Sequence, residues 1–189
     1  MTRTATLLLL AAVLAACSGD DGGFVYRGDL GDLGAAPEFH LLERAGTPLD
    51  TKDLLGKVWI TAFIFTRCQK ECGQMGIEMA ELQEEFEKEP DFRMLSVTVD
   101  PAHDKPEILK TYAKGWDAHP ERWLFAWGRA EDIKAVMNGF GVGWQDRMVN
   151  HSTYFVLVDR KGRRRGMYDG LQGERMRKLR QDIRTLLAE

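Results

Sequence analysis

The chain has 189 residues, 26 of them basic and 29 acidic, a formal net charge of −3 and 44% hydrophobic residues. That balance belongs to an ordinary folded domain. It excludes the concentrated basic charge of a nucleic-acid-binding protein.

The first segment, MTRTATLLLLAAVLAAC, has one early Arg3, an apolar run from about Ala5 to Val13, and small residues before Cys17. The run is shorter than the ~20 apolar residues of a comfortable bilayer span, and its pattern is that of a secretory signal. Leu14-Ala15-Ala16-Cys17 also resembles the bacterial lipobox, whose cysteine becomes the lipidated first residue of the mature chain. Residues 1–16 are therefore expected to be a lipoprotein signal peptide and Cys17 the lipidation site. The anchor would gain ~0.8 kcal/mol per buried methylene. The expected location is extracytoplasmic, on the periplasmic side, attached to a membrane in an oxidising space. Residues 17–36, rich in Gly and Asp and without periodicity, read as a flexible tether. Residues 37–189 are long enough for one domain with its own core.

Val58 to Phe65 is a continuous apolar run of β-formers, as expected of a strand buried on both faces. Met75, Met79, Leu82 and Phe86 recur at helical spacing and mark an amphipathic helix, which assigns the two methionines to the core. Residues 92–99, FRMLSVTV, predict a second strand, stopped by Asp100-Pro101. Pro106 suits the first turn of a helix, where no N–H is needed. Residues 123–127, WLFAW, predict a short strand, and Ile133, Val136, Met137 and Phe140 predict another helix. Residues 153–159 and the segment around Met167-Tyr168 form a hairpin across the basic turn Arg160, Lys161, Arg163, Arg164 and Arg165. That turn reads as a solvated tip, with docking to an anionic surface as the alternative. Met176, Leu179, Ile183 and Leu186 close the chain with a helix. This alternation predicts an α/β fold, a thioredoxin-like sandwich in which helices flank a central mixed sheet, with a C-terminal hairpin and helix.

FTRCQKECGQM, residues 65–75, puts Cys68 and Cys72 just after the buried strand, at the start of a helix. Unpaired N–H groups and the positive end of the helix dipole favour thiolates there, and Arg67 adds positive charge. With Cys72 one turn beyond Cys68, both sulfurs can point at one spot. The pair is one residue longer than the C-x-x-C of a typical oxidoreductase. His40, His103 and His119 read as surface residues. His151 immediately precedes an apolar strand, and it reaches the cysteine end of the sheet only if that strand runs antiparallel. Two sulfurs and an imidazole suit Cu(I), Cu(II) or Zn(II).

These segments resemble the SCO/SenC family of copper proteins that assist cytochrome c oxidase assembly. FTRCQKEC (65–72), SVTVDPAHDKPEILKTYA (96–113) and HSTYFVLVD (151–159) carry the resemblance, which extends from about Pro37 to the C-terminus. It implies a thioredoxin-like fold in which Cys68, Cys72 and His151 bind one copper per domain. It also implies delivery of copper to the dinuclear site of oxidase subunit II, or to another extracytoplasmic copper protein, or reduction of that site's cysteines. The chain departs from the family by Gln69 and Gly73 where prolines usually stand, and by Asn150 where many relatives carry Asp. Asp100 and Asp104 match the family's D-P-x-x-D-x-P, and Asp100 and Asn150 are candidates for groups just outside the metal's ligands. The alternative function is a thiol-disulfide oxidoreductase using Cys68 and Cys72 with no stable metal; a structural zinc or interaction module is the third reading.

Overall fold

The computed structural model describes residues 30–68, 71–143 and 152–189. Seven strands form one mixed sheet in the order β2-β1-β5-β4-β3-β6-β7. They are β1 (His40–Glu43), β2 (Pro48–Asp50), β3 (Val58–Ile64), β4 (Phe92–Thr98), β5 (Trp123–Trp127), β6 (Tyr154–Val158) and β7 (Arg164–Asp169). The helices are α1 (Glu71–Glu85), α2 (Pro106–Gly115), α3 (Ala130–Phe140) and α4 (Gly173–Ala188).

Strands β3, β4 and β5 are parallel. β6 pairs antiparallel with β3, in the register Trp59 to Val158 and Thr61 to Val156. The pleat divides β3 between two cores. Val58, Ile60, Ala62 and Ile64 pack under α1, α2 and α4, whereas Trp59 and Phe63 face α3, Phe39 and Leu54. Burial on both faces explains why β3 reads as an uninterrupted apolar run. Met75 and Met79 are core residues of the first cluster. α3 ends at Gly141, whose φ of +79° lets the Val142 N–H reach back to the Met137 carbonyl, a left-handed cap that glycine adopts without a Cβ penalty.

Two features differ from the sequence expectation. The hairpin of β1 and β2 carries too few residues for a period to register. Residues 30–36, expected in the tether, also have fixed partners. The N–H groups of Gly31, Leu33 and Ala36 bond the carbonyls of Arg165, Arg164 and Gly162, so residues 30–36 lie along β7 rather than in a tether. The basic turn is what holds them. Arg163 forks onto Asp32, the Arg164 guanidinium donates to the Leu33 and Gly139 carbonyls, and Arg165 donates to the Gly31 carbonyl. These arginines are clamps between chain segments rather than a solvated tip. Covering an edge strand in this way also removes a template for unwanted strand pairing.

Among the described residues no helix is long and apolar enough to cross a membrane. Cys17 and the expected signal segment lie outside them.

Candidate metal centre

Cys68 follows β3 by four residues, at the carboxyl edge of the three parallel strands, where loops of α/β folds build their sites. Its N–H bonds the Phe65 carbonyl, which turns the chain out of the strand. Cys72 sits in the first turn of α1, and its N–H donates to the Cys68 Sγ over 3.4 Å. The two cysteines are therefore not neighbours on one helix face, because Cys68 is not part of a helix. Cys68 instead sits over the helix end, where an N–H is left without an intrahelical partner. No disulfide joins the pair.

The sulfurs differ in environment. Cys68 is half-exposed, whereas Cys72 is 1% exposed and belongs to the core beneath α1 and α2. Burial pushes the Cys72 thiol up to about 12, only partly offset by a backbone hydrogen bond from Phe65, and Cys68 pushes it the same way. The helix end therefore does not make a thiolate of Cys72: desolvation of the charged form outweighs the dipole.

Trp116, from the end of α2, closes over this thiol. A Cβ at Gly76 would stand 2.3 Å from the Trp116 ring, so the indole lies directly on the backbone of α1 one turn beyond Cys72. The Tyr112 ring is 6.2 Å from that of Trp116. Burial raises the Tyr112 hydroxyl above the ordinary phenol range; Trp116 opposes this with a hydrogen bond, and charge on Cys72, Cys68 or Asp104 would raise it further.

Both aspartates of the 100–104 segment bind the cysteine loop. Asp100 pairs with Arg67, and the fully buried Asp104 takes hydrogen bonds from the Thr66 N–H, the Thr66 hydroxyl and the Thr98 hydroxyl. Sequence reasoning singled out the aspartates but not Thr66 and Thr98, which carry no motif of their own. The segment is closed by Trp127, whose indole N–H donates to the Pro101 carbonyl and whose ring lies 4.8 Å from the Lys105 ammonium.

The other candidates divide as follows. His40 pairs with Asp50, and the His119 ring accepts from the Glu121 N–H, so both have local structural work. His103 is exposed. His151 and Asn150 lie outside the described residues. The antiparallel condition set for His151 is met: β6 starts at the end of the sheet where β3 finishes, so the chain enters β6 from the cysteine end. Among the described residues no three His, Cys, Asp or Glu side chains cluster as a complete metal site.

A sheet of this order with a cysteine pair at the head of its first long helix defines a thioredoxin-like protein. Within that class the chain belongs to the SCO1/SenC family, whose model matches residues 30–188. It is 30% identical over 142 residues to a SCO1 protein homolog of Bacillus subtilis, covering 71% of this chain and 73% of that one. It is 31% identical over 137 residues to mitochondrial SCO1 of Saccharomyces cerevisiae, covering 66% of this chain and 45% of that one. It spans just under two thirds of the SCO2-like proteins of Rickettsia, at 64–65% of their length. Among solved structures, a SCO1/SenC family lipoprotein of Bacillus anthracis matches with a TM-score of 0.76 at 32% identity, covering 87% of this chain and all of that one. Yeast Sco1 with copper bound matches at 0.66 and 26% identity, covering 80% and 89%. BsSco, a Sco-family cytochrome c oxidase assembly protein described with a disulfide switch, matches at 0.74 and 26%, covering 86% and 99%.

Proposed function

We propose that this protein binds one copper ion as cargo through Cys68, Cys72 and His151, and serves assembly of the copper site of cytochrome c oxidase, with subunit II as the recipient. The observation that carries this reading is the convergence of two sulfurs at the head of α1 with the entry to β6 at the same end of the sheet. The donor set fits: sulfur ligands select copper in its soft Cu(I) state, and an imidazole extends the site to Cu(II). The half-exposed Cys68 offers a route for exchange, and the buried Cys72 keeps one ligand away from water. Membership of the SCO1/SenC family and the copper-bound yeast relative support the same reading. We place the protein on the periplasmic side, held to a membrane by lipid on Cys17 after removal of residues 1–16, because the sequence there has the lipobox pattern.

A second reading is thiol-disulfide exchange, and one observation favours it. One half-exposed and one buried sulfur is the asymmetry needed for an attacking and a resolving thiol. The two readings part at His151. In His151→Ala, copper delivery requires that tight binding be lost while the Cys68–Cys72 couple keeps its equilibrium constant with glutathione. Unchanged copper binding would remove His151 from the site.

A further inference from the structure

Asp104 is 0% exposed, and its carboxylate accepts from two hydroxyls and a backbone amide. The Thr66 N–H donates at 3.0 Å, the Thr66 hydroxyl at 2.5 Å and the Thr98 hydroxyl at 2.7 Å. The knot is cross-braced, because the Asp104 N–H bonds the Asp100 carbonyl and the Asp100 N–H bonds the Thr98 hydroxyl. A buried carboxylate is costly to desolvate, and apolar side chains of similar volume often serve stability as well or better. Stability alone is thus a poor account of it.

Its position suggests another. Thr66 is two residues before Cys68, and no proline between Phe65 and Met75 fixes the backbone there. The loop must gain its geometry from its surroundings. Arg67 contributes through Asp100, but its side chain is 61% exposed and such pairs hold weakly. The Thr66 bonds are the shielded ones.

We propose that Asp104 is a positioning residue for the cysteine pair: through Thr66 and Thr98 it fixes where Cys68 stands relative to Cys72. It touches neither sulfur's reaction partner. This rests on Cys68 and Cys72 being the working pair, whichever chemistry they perform. A fixed pair has a higher effective concentration of one thiol for the other, which favours disulfide closure and two-sulfur metal binding alike.

The test uses the 189-residue chain with Cys17→Ser. The protein dithiol is equilibrated with glutathione disulfide, giving one protein disulfide and two glutathione thiols, and the constant is measured without copper. Thr66→Val removes one hydroxyl donor and leaves the amide bond; Asp104→Asn keeps the volume; Thr66→Ser restores the hydroxyl. Ile183→Val, in the α4 core, serves as a stability control. We expect Thr66→Val and Asp104→Asn to lower the constant about fivefold or more, equivalent to ~1 kcal/mol. Cu(I) affinity should fall in the same order, Thr66→Ser should stay near the parent, and Ile183→Val should lower the melting temperature without moving the constant. If Thr66→Val and Asp104→Asn shift it no more than Ile183→Val does, Asp104 is only structural and the proposal is overturned. If Asp104→Asn does not fold, Thr66→Val alone decides. If the parent closes its disulfide but takes up no copper, the copper reading fails while the assignment of Asp104 stands.

Discussion

Gly76 and Gly73 lie three residues apart on α1, yet alanine should stabilise the fold only at Gly73. A Cβ at Gly76 would lie 2.3, 2.5 and 2.7 Å from three carbons of the Trp116 indole, whereas a Cβ at Gly73 meets nothing within 4 Å. Ordinary carbon contacts sit at ~3.5–4.0 Å, so the indole must retreat by about 1 Å or more. Helix propensity favours alanine over glycine by up to ~1 kcal/mol in both cases. Overpacking at Gly76 costs about 1–3 kcal/mol against that gain. Gly73→Ala should therefore stabilise by about 0.5–1 kcal/mol, less than a full interior gain because it lies in the first turn. Gly76→Ala should be neutral to about 2 kcal/mol destabilised, with each kcal/mol moving the melting temperature by roughly 2–4 °C in a domain of this size. The space bounded by Cys72, Gly76, Tyr112 and Trp116 is only about 10 Å³, so a displaced indole opens a route to the thiol. The assays are chemical denaturation and, in a Cys68→Ser background, the alkylation rate of Cys72. Gly76→Ala should react faster than Gly73→Ala. If Gly76→Ala is as stable as Gly73→Ala and Cys72 reacts no faster, the Trp116 seal is not the close contact described.

The Cys72 thiol, at about 12 against 9.0 for an ordinary cysteine, sets a pH dependence. Below pH 9 both folded and unfolded chains keep its proton; above it the unfolded chain loses the proton first, so stability falls as pH rises towards 12, by up to ~1.4 kcal/mol per unit. Cys72→Ser should flatten that part of the denaturation profile, and an unchanged slope would contradict the burial argument. Binding a metal must also displace this proton, so Cu(I) affinity should rise with pH by about tenfold per unit for each proton released. Along the N-terminal arm, hydrogen exchange should find the amides of Gly31, Leu33 and Ala36 protected, since they bond β7 and its turn. Free exchange up to Pro37 would restore the longer tether. In Asp32→Ala the protection should drop and lose its sensitivity to salt, because the exposed Arg163 pair that salt screens in the parent is gone.

The long elements were legible because burial marks them in the sequence: β3 as an unbroken apolar run between two layers, α1 at helical spacing through Met75, Met79 and Leu82, α4 likewise through Met176, Leu179, Ile183 and Leu186. The hairpin of β1 and β2 was not, since four and three residues are too few for alternation to register. Residues 30–36 gave no signal because main-chain bonds to β7 and three arginines hold them, and a clamp of that kind has no hydrophobic pattern. At the site, the cysteine spacing was readable but the inequality of the thiols was not. Cys72 is masked by two aromatics, Tyr112 and Trp116, that arrive from forty residues away. The D-P-x-x-D pattern pointed at the site without disclosing that Asp104 turns inward to Thr66 and Thr98.

The proposed site joins Cys68, Cys72 and His151 around one copper. It is tested most directly by anaerobic titration of copper into the reduced, soluble chain with Cys17→Ser, followed by the same titration after Cys68–Cys72 oxidation. Such a site should take up one copper per reduced chain, show sulfur-to-copper charge-transfer absorption for Cu(II), and gain little copper in the oxidised form until a reductant is added. Two coppers per chain, Cu(II) spectra without sulfur character, or equal uptake by the two forms would contradict it.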